Sequence, residues 1–447
     1  MSMLIRIFRQ AALALAALSL MPASWSQPGV NPALPLVHVD NGPNSPAAQQ
    51  AHTVVLVSLD GFRWDYAKRD GARHLLALGR KGVSAPDGML PSFPSVTYPN
   101  HLSIVTGLYP EHHGIVANTF YDPERKARYS PRDPETIADG TWYSGVPLWS
   151  LAENQGMRTA CLFWPGSEAE IAGHRPTWYL RYAEAEFTDA AEQARIHEAV
   201  ELLKLPAAER PHFIAIYLND TDEVGHRFGP DSPQTKAAVL KMDSMVEKLK
   251  AALDKTGLPI DLVVVSDHGM AKIDAPWVTL DEFTSLANFE TEGQLLYGKT
   301  EEDRLKAYNE LKHAAPEFVV YRRNMVPANL HYDANPREGD PVIIATGPYV
   351  IRAHKPPASK PDEPPSKGAH GFDPHSMPEM KAIFFAEGPD IAPGKTVKPF
   401  ENVNLYPWMA HMLGLTPPKN DGNLNILAGT LRDNGGTAPE DGAGSKP

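Results

Sequence analysis

Thr53-Val-Val-Leu-Val-Ser-Leu-Asp60 is an unbroken run of β-branched and apolar residues that ends on a carboxylate. Asp261-Leu-Val-Val-Val-Ser-Asp267-His268 repeats the pattern, and Phe213-Ile-Ala-Ile-Tyr-Leu218 is followed closely by Asp222-Glu-Val-Gly-His226. Continuous apolar runs, as opposed to alternating ones, suit strands of a parallel sheet buried on both faces. In open α/β sheets ligands bind outside the carboxyl ends of the strands. The three runs therefore predict strands that deliver Asp60, Asp222, His226, Asp267 and His268 to one rim.

Helical spacing lies between and beyond these runs, at His74 to Gly79, Pro147 to Gln155, Ala190 to Leu205 and Thr235 to Leu253. Strand and helix alternate, which predicts an α/β fold with a central, mostly parallel sheet sandwiched by helices. From about Lys272 to Gly368 the pattern loosens around a helical stretch at Glu301 to Ala314 and a Pro/Lys/Asp loop at Pro356 to Lys367. This segment is expected to be an inserted cap over the site. His370 follows it directly, and Met380-Lys-Ala-Ile-Phe-Phe-Ala386 reads as another buried strand.

The ends read differently. Residues 1–26 carry Arg6 and Arg9, a short apolar run and then small residues, the pattern of a secretory signal peptide. The apolar run is too short for a membrane span, which needs ~20 residues, and no other stretch is long enough. Residues 27–50, rich in Pro, Asn and Ala, are expected to form a flexible lead-in to a catalytic domain over 51–430. Residues 431–447 are expected to be a disordered tail. Export to a bacterial periplasm fits a chain whose single cysteine, Cys161, cannot form an internal disulfide. Removing residues 1–26 takes away both arginines and no acidic residue, moving the formal charge from −12 to −14. That excess argues against a nucleic-acid polymer as partner. Small anionic substrates stay open, because divalent ions make a site locally positive. Nothing in the sequence sets an oligomeric state.

Carboxylates and imidazoles without thiolates suit Zn²⁺, with Mn²⁺ or another first-row ion as the alternative. Asp60, Asp222, His226, Asp267, His268 and His370 are enough for two metal sites, which suits hydrolysis. In Phe93-Pro-Ser-Val-Thr97-Tyr-Pro-Asn-His101 a proline two residues after Thr97 and the apolar stretch beyond place Thr97 near a helix N-terminus, where N–H groups attract phosphate. A plain N-cap would account for Thr97 alone. Beside a bound divalent ion its hydroxyl becomes a nucleophile.

From Val54 to Leu427 the chain resembles the nucleotide pyrophosphatase/phosphodiesterase family of the alkaline phosphatase superfamily. The resemblance rests on Leu59-Asp60-Gly-Phe-Arg63, Thr97-Tyr-Pro-Asn-His101, Thr106 to Asn118, Trp164-Pro-Gly-Ser167, Asp222 to His226, Ser266-Asp-His-Gly-Met270 and His370-Gly-Phe-Asp373, in order. It implies an alkaline-phosphatase-like fold and two Zn²⁺ ions. One ion would be held by Asp222, His226 and His370, the other by Asp60, Asp267, His268 and the Thr97 oxygen. It also implies a phospho-threonine intermediate at Thr97, an Asn118 amide that donates to the phosphoryl group, and Tyr98 and Tyr217 facing a nucleoside. Asp373 and His375 are candidates to support His370 from behind.

The expected substrate is a small nucleotide or other phosphodiester, cleaved to a nucleoside 5′-monophosphate. A phosphomonoesterase of the same superfamily is disfavoured because no Arg or Lys lies within Pro91 to Tyr109 to hold the extra phosphate charge. A phospholipid-type phosphodiesterase stays open. A non-catalytic binding protein would have little use for an intact ligand set.

Overall fold

The computed structural model describes residues 35–182, 188–355 and 366–432. Residues 1–26, expected to be a signal peptide, the first part of the expected lead-in at 27–34, most of the Pro/Lys/Asp loop at 356–365, and the tail from 433 lie outside the described residues. Among the described residues the central sheet has nine strands: β1 Val37–His38, β2 Thr53–Leu59, β3 Val83–Ser84, β4 Thr159–Leu162, β5 Trp178–Tyr179, β6 Phe213–Leu218, β7 Ile260–Val265, β8 Phe384–Glu387 and β9 Lys395–Thr396. Their spatial order is β1-β5-β4-β6-β2-β7-β8-β3-β9. From β5 to β7 every pairing is parallel; β1 and β8 run antiparallel at the flanks. The fold is therefore α/β with a mostly parallel sheet.

Burial explains the apolar runs. Every residue of β2 and β6 is buried. Along β2 the side chains alternate between two cores: Val54 and Leu56 enter one, and Val55, Val57 and Leu59 the other. Val263 and Val265 of β7 join the first core, together with Tyr98, Leu102, Ile104 and Val105 of helix α1, Thr97–Thr106. By the same alternation Ser58, Asp60 and Asp267 face α1.

A short antiparallel ladder, Ala271–Lys272 against Gly368–Ala369, closes the chain between them into an excursion. Within it are a hairpin, Phe289–Glu292 with Leu295–Gly298; a ribbon, Phe318–Tyr321 with Val342–Ala345; and helix Glu301–Leu311, begun by a reciprocal Thr300/Asp303 capping box. A third core, including Leu280, Leu296, Leu311, Phe318 and Ile343, holds these pieces together.

Two expectations are corrected. The strand expected over Met380 to Ala386 starts only at Phe384, because Pro378–Met380 makes a 3₁₀ turn first. The flexible lead-in of residues 27–50 does not hold over 35–50: Val37–His38 pairs with Trp178–Tyr179 at the sheet edge. Buried Asn44 secures the segment, its amide donating to the carbonyls of Ala207 and Arg210 at 2.9 and 2.7 Å while its oxygen accepts from Arg158 N–H at 2.7 Å. A segment so short and polar shows no periodicity, since its order comes from specific hydrogen bonds and not from a buried stripe.

Replacing Asn44 by Ala leaves the buried Arg158 N–H and two part-buried carbonyls unpaired, and should cost about 2–3 kcal/mol of stability in urea unfolding. A loss below about 0.5 kcal/mol, the range of neutral surface changes, would contradict the anchoring role.

Candidate active site

Sheet register brings the first carboxylates together. Ser58 lies opposite both Tyr217 of β6 and Val265 of β7, so Asp60 and Asp267 each stand two residues beyond the same rung. Gly61 turns the chain away at φ 64°, where a Cβ would also meet Asp222 Cα and Cβ at 2.9 Å. Glycine answers both demands. Helix α2, Asp220–Phe228, starts just past β6 and carries Asp222 and His226 four residues apart on one face. Thr221 Oγ1 donates to the Asp60 carbonyl and ties α2 to β2. His370 is brought to the rim by the Gly368–Ala369 ladder.

The side chains form two adjoining clusters. In the first, His226 Nε2 is 3.4 Å and His370 Nε2 is 3.6 Å from Asp222 Oδ1, and the two nitrogens are 3.1 Å apart. In the second, His268 Nε2 is 3.5 Å from Asp60 Oδ1, 3.1 Å from Asp267 Oδ2 and 3.4 Å from Thr97 Oγ1. The His268 and His370 rings stack at 3.6 Å between centroids, which puts the clusters side by side. All six ligand candidates and Thr97 thus meet at one place.

Three observations fit metal ions. Asp60 Oδ1, Asp222 Oδ1 and Asp267 Oδ2 are buried without a hydrogen-bond partner, a costly state for carboxylate oxygens unless a cation sits among them. Each histidine turns Nδ1 to a backbone carbonyl: His226 to Gly368 at 2.8 Å, His268 to Gly269 at 2.9 Å, His370 to Ser95 at 3.0 Å. A carbonyl only accepts, so Nδ1 carries the proton and Nε2 offers a lone pair to the cluster. Lastly, zinc bonds of about 2.0–2.1 Å in a tetrahedron set ligands ~3.3 Å apart. The separations above lie around that value.

The two carboxyls of the second cluster are shifted in opposite directions. Burial, with Asp267 and then Asp222 nearby, pushes the Asp60 carboxyl well above its ordinary range. Burial also acts to raise Asp267, but His268 and His101 more than offset it and hold that carboxyl low. His370 is driven well below the usual imidazole value by burial and by His268 and His226. It therefore stays neutral, the form that ligates.

Thr97 is the first residue of α1, largely buried at 8% exposure. Asn118 Oδ1 accepts the Tyr98 N–H at 2.8 Å, which leaves the Asn118 amide hydrogens to turn elsewhere. His101, one turn into α1, was not singled out from the sequence. Its Nδ1 meets the Thr97 carbonyl at 2.8 Å and its Nε2 meets Ser58 Oγ at 2.9 Å, tying the helix start to β2. Its position inside the Thr97-to-His101 motif was the available signal.

Tyr217 is corrected. Its hydroxyl donates to Asp60 Oδ2, and the ring is buried against His101 and Phe163, so it braces a ligand and shows no open face to a base. Tyr98 is 1% exposed, with ring edges against Tyr129 and Tyr182. Half-buried Tyr182 stacks on Phe163 at 4.5 Å. Its ring lies 6.5 Å from that of Tyr217, which places Tyr182 beside the clusters, and burial with the carboxyls of Asp60, Asp222 and Asp267 raises its hydroxyl pKa. Asp373 and His375 do not support His370: Asp373 Oδ1 accepts the His375 N–H instead, on the exposed side.

Comparison with known proteins matches residues 54–373 to a family model described as Type I phosphodiesterase / nucleotide pyrophosphatase. An uncharacterized pyrophosphatase/phosphodiesterase of Schizosaccharomyces pombe is 34% identical over 83% of this chain and 78% of its own length. The human ectonucleotide pyrophosphatase/phosphodiesterase family member 7 is 33% identical over 89% of this chain and 88% of its own. Among solved structures, murine ectonucleotide pyrophosphatase / phosphodiesterase 5, as an inactive variant in complex with AMP, superposes with a TM-score of 0.78. It is 28% identical and covers 85% of this chain and 100% of that one.

Removing the Tyr217 hydroxyl tests the bracing of Asp60. Tyr217→Phe should keep the fold while weakening zinc affinity about 10–100-fold in a metal-buffered titration. Unchanged affinity would make the hydroxyl a bystander.

Proposed function

The chain belongs to the Type I phosphodiesterase / nucleotide pyrophosphatase family of hydrolases, and on that premise we propose a two-zinc enzyme that cleaves nucleotide phosphodiester or pyrophosphate bonds through a phospho-threonine at Thr97. The observation that carries the reading is the pair of clusters with unpartnered carboxylate oxygens and bare Nε2 atoms around Thr97 Oγ1.

Asp222, His226 and His370 would hold one ion, and Asp60, Asp267, His268 and Thr97 Oγ1 the other. Zinc bound there would supply Lewis acidity, easing ionisation of the Thr97 hydroxyl and offsetting charge on the phosphoryl and departing oxygens. Thr97 Oγ1 attacks phosphorus in line, the ester or anhydride bond on the far side breaks, and the phosphoryl group is carried on Thr97. Water then attacks that phosphorus, frees Thr97 and releases a nucleoside 5′-monophosphate. His101 holds the Thr97 backbone, which fixes the direction of attack. With its oxygen occupied by Tyr98 N–H, Asn118 donates from Nδ2 to a phosphoryl oxygen as charge grows there. Tyr182 meets the nucleoside first, with Tyr98 behind it.

The absence of Lys and Arg from Pro91 to Tyr109 supports a diester over a monoester. AMP bound to the murine relative makes a nucleotide the favoured substrate. Among the described residues no helix is long and apolar enough to cross a membrane. With the leader-like residues 1–26, this supports an exported, periplasmic enzyme.

Zinc-loaded protein should hydrolyse the p-nitrophenyl ester of thymidine 5′-monophosphate well ahead of p-nitrophenyl phosphate, and Thr97→Ala should abolish both activities. Preference for the monoester would overturn the diesterase reading. Asn118→Ala should lower kcat about 100-fold or more with metal content unchanged, as loss of one transition-state donor does elsewhere; unaltered kcat would remove Asn118 from the mechanism.

A further inference from the structure

A cleft of about 240 Å³ runs from the metal-type clusters to the cap. Val96, Asn118 and His370 line it together with Phe93, Leu295 and Val350. Leu295 starts the second strand of the cap hairpin, and Val350 directly precedes the cap strand Ile351–Arg352. Both are half-buried, which fits residues facing a space that is open but sheltered. The cleft is continuous with the site through His370.

The direction of the reaction decides what enters it. Thr97 Oγ1 lies against His268, on the second cluster, whereas His370 belongs to the first. In an in-line displacement the leaving group departs on the side away from the nucleophile, past the cluster that contains His370. The cleft begins there.

Its chemistry decides what it holds. Among the described residues no Lys or Arg lines it, and its formal charge is the Glu292 carboxylate, which is itself 3.4 Å from Arg128 Nε. Apolar walls cannot replace the hydration of a polyphosphate, and a carboxylate would repel one. Such walls favour an alkyl or aryl group, whose burial is driven by the water it releases.

We propose that this cleft is the leaving-group subsite, and that it takes an uncharged apolar alcohol esterified to the nucleotide in preference to a pyrophosphate. The assignment rests on the phosphodiesterase reading above and narrows its substrate class.

The test compares the octyl and methyl esters of adenosine 5′-monophosphate with ATP. For the native enzyme kcat/KM should be at least tenfold higher for the octyl than for the methyl ester, and higher for the octyl ester than for ATP. Leu295→Arg and, as a second substitution in a separate part of the cap, Val350→Arg should bring the octyl-to-methyl ratio toward one while the methyl ester is still cleaved. Calorimetry on the Thr97→Ala protein gives a readout free of turnover: the octyl ester should bind at least tenfold more tightly than the methyl ester. Thr97-dependent cleavage of both esters with a ratio near one, in either native enzyme or binding, overturns the subsite and leaves the phosphodiesterase reading intact. No Thr97-dependent cleavage of any of the three compounds overturns that reading and the subsite with it.

Discussion

Everything at the rim depends on bringing Asp60, Asp222 and Asp267 together with buried oxygens that no protein donor reaches. Like charges in a dry site repel strongly, and burial penalises the Asp60 and Asp267 carboxylates further. The protein offsets part of this with the Tyr217 hydroxyl on Asp60 and the Gly61 N–H on Asp267 at 3.2 Å. What remains is a demand for positive charge, which divalent ions would meet. Binding there would stabilise the folded chain by mass action, since the unfolded chain has no such arrangement.

The scaffold keeps so unfavourable a grouping in place because its supports are stiff. Asp60 and Asp267 extend from adjacent parallel strands buried on both faces, and the wholly buried α1 covers the face they share. His101 links that helix to Ser58 of β2, so Thr97 and the carboxylates of the clusters are fixed to one frame. The excursion between Lys272 and Gly368 has a structural duty here. Its closing ladder delivers His370, so the segment that shapes the cleft also completes the first cluster.

Much of this was legible because it follows from short-range rules. Apolar runs at Thr53, Phe213 and Asp261 marked the parallel strands, and the carboxylates at or just beyond their ends marked the rim. The four-residue spacing of Asp222 and His226 became one helix face, and the proline after Thr97 a helix start. What was missed depends on register and tertiary contacts. Tyr217 reads as a base-stacking aromatic until the ladder sets it opposite Ser58, two residues before Asp60, so that its hydroxyl reaches the carboxylate. Val37–His38 is too short to show a period, and it is held by Asn44 and by pairing with a strand far along the chain. Asp373 and His375, close to His370 in sequence, are drawn aside by their own local turn.

The two-ion arrangement is tested by an anomalous-scattering map at the zinc edge from crystals of zinc-loaded protein. Two peaks per chain are expected, one bounded by Asp222, His226 and His370 and the other by Asp60, Asp267 and His268 beside Thr97. A single peak, or zinc elsewhere on the molecule with these oxygens still unpartnered, would contradict it.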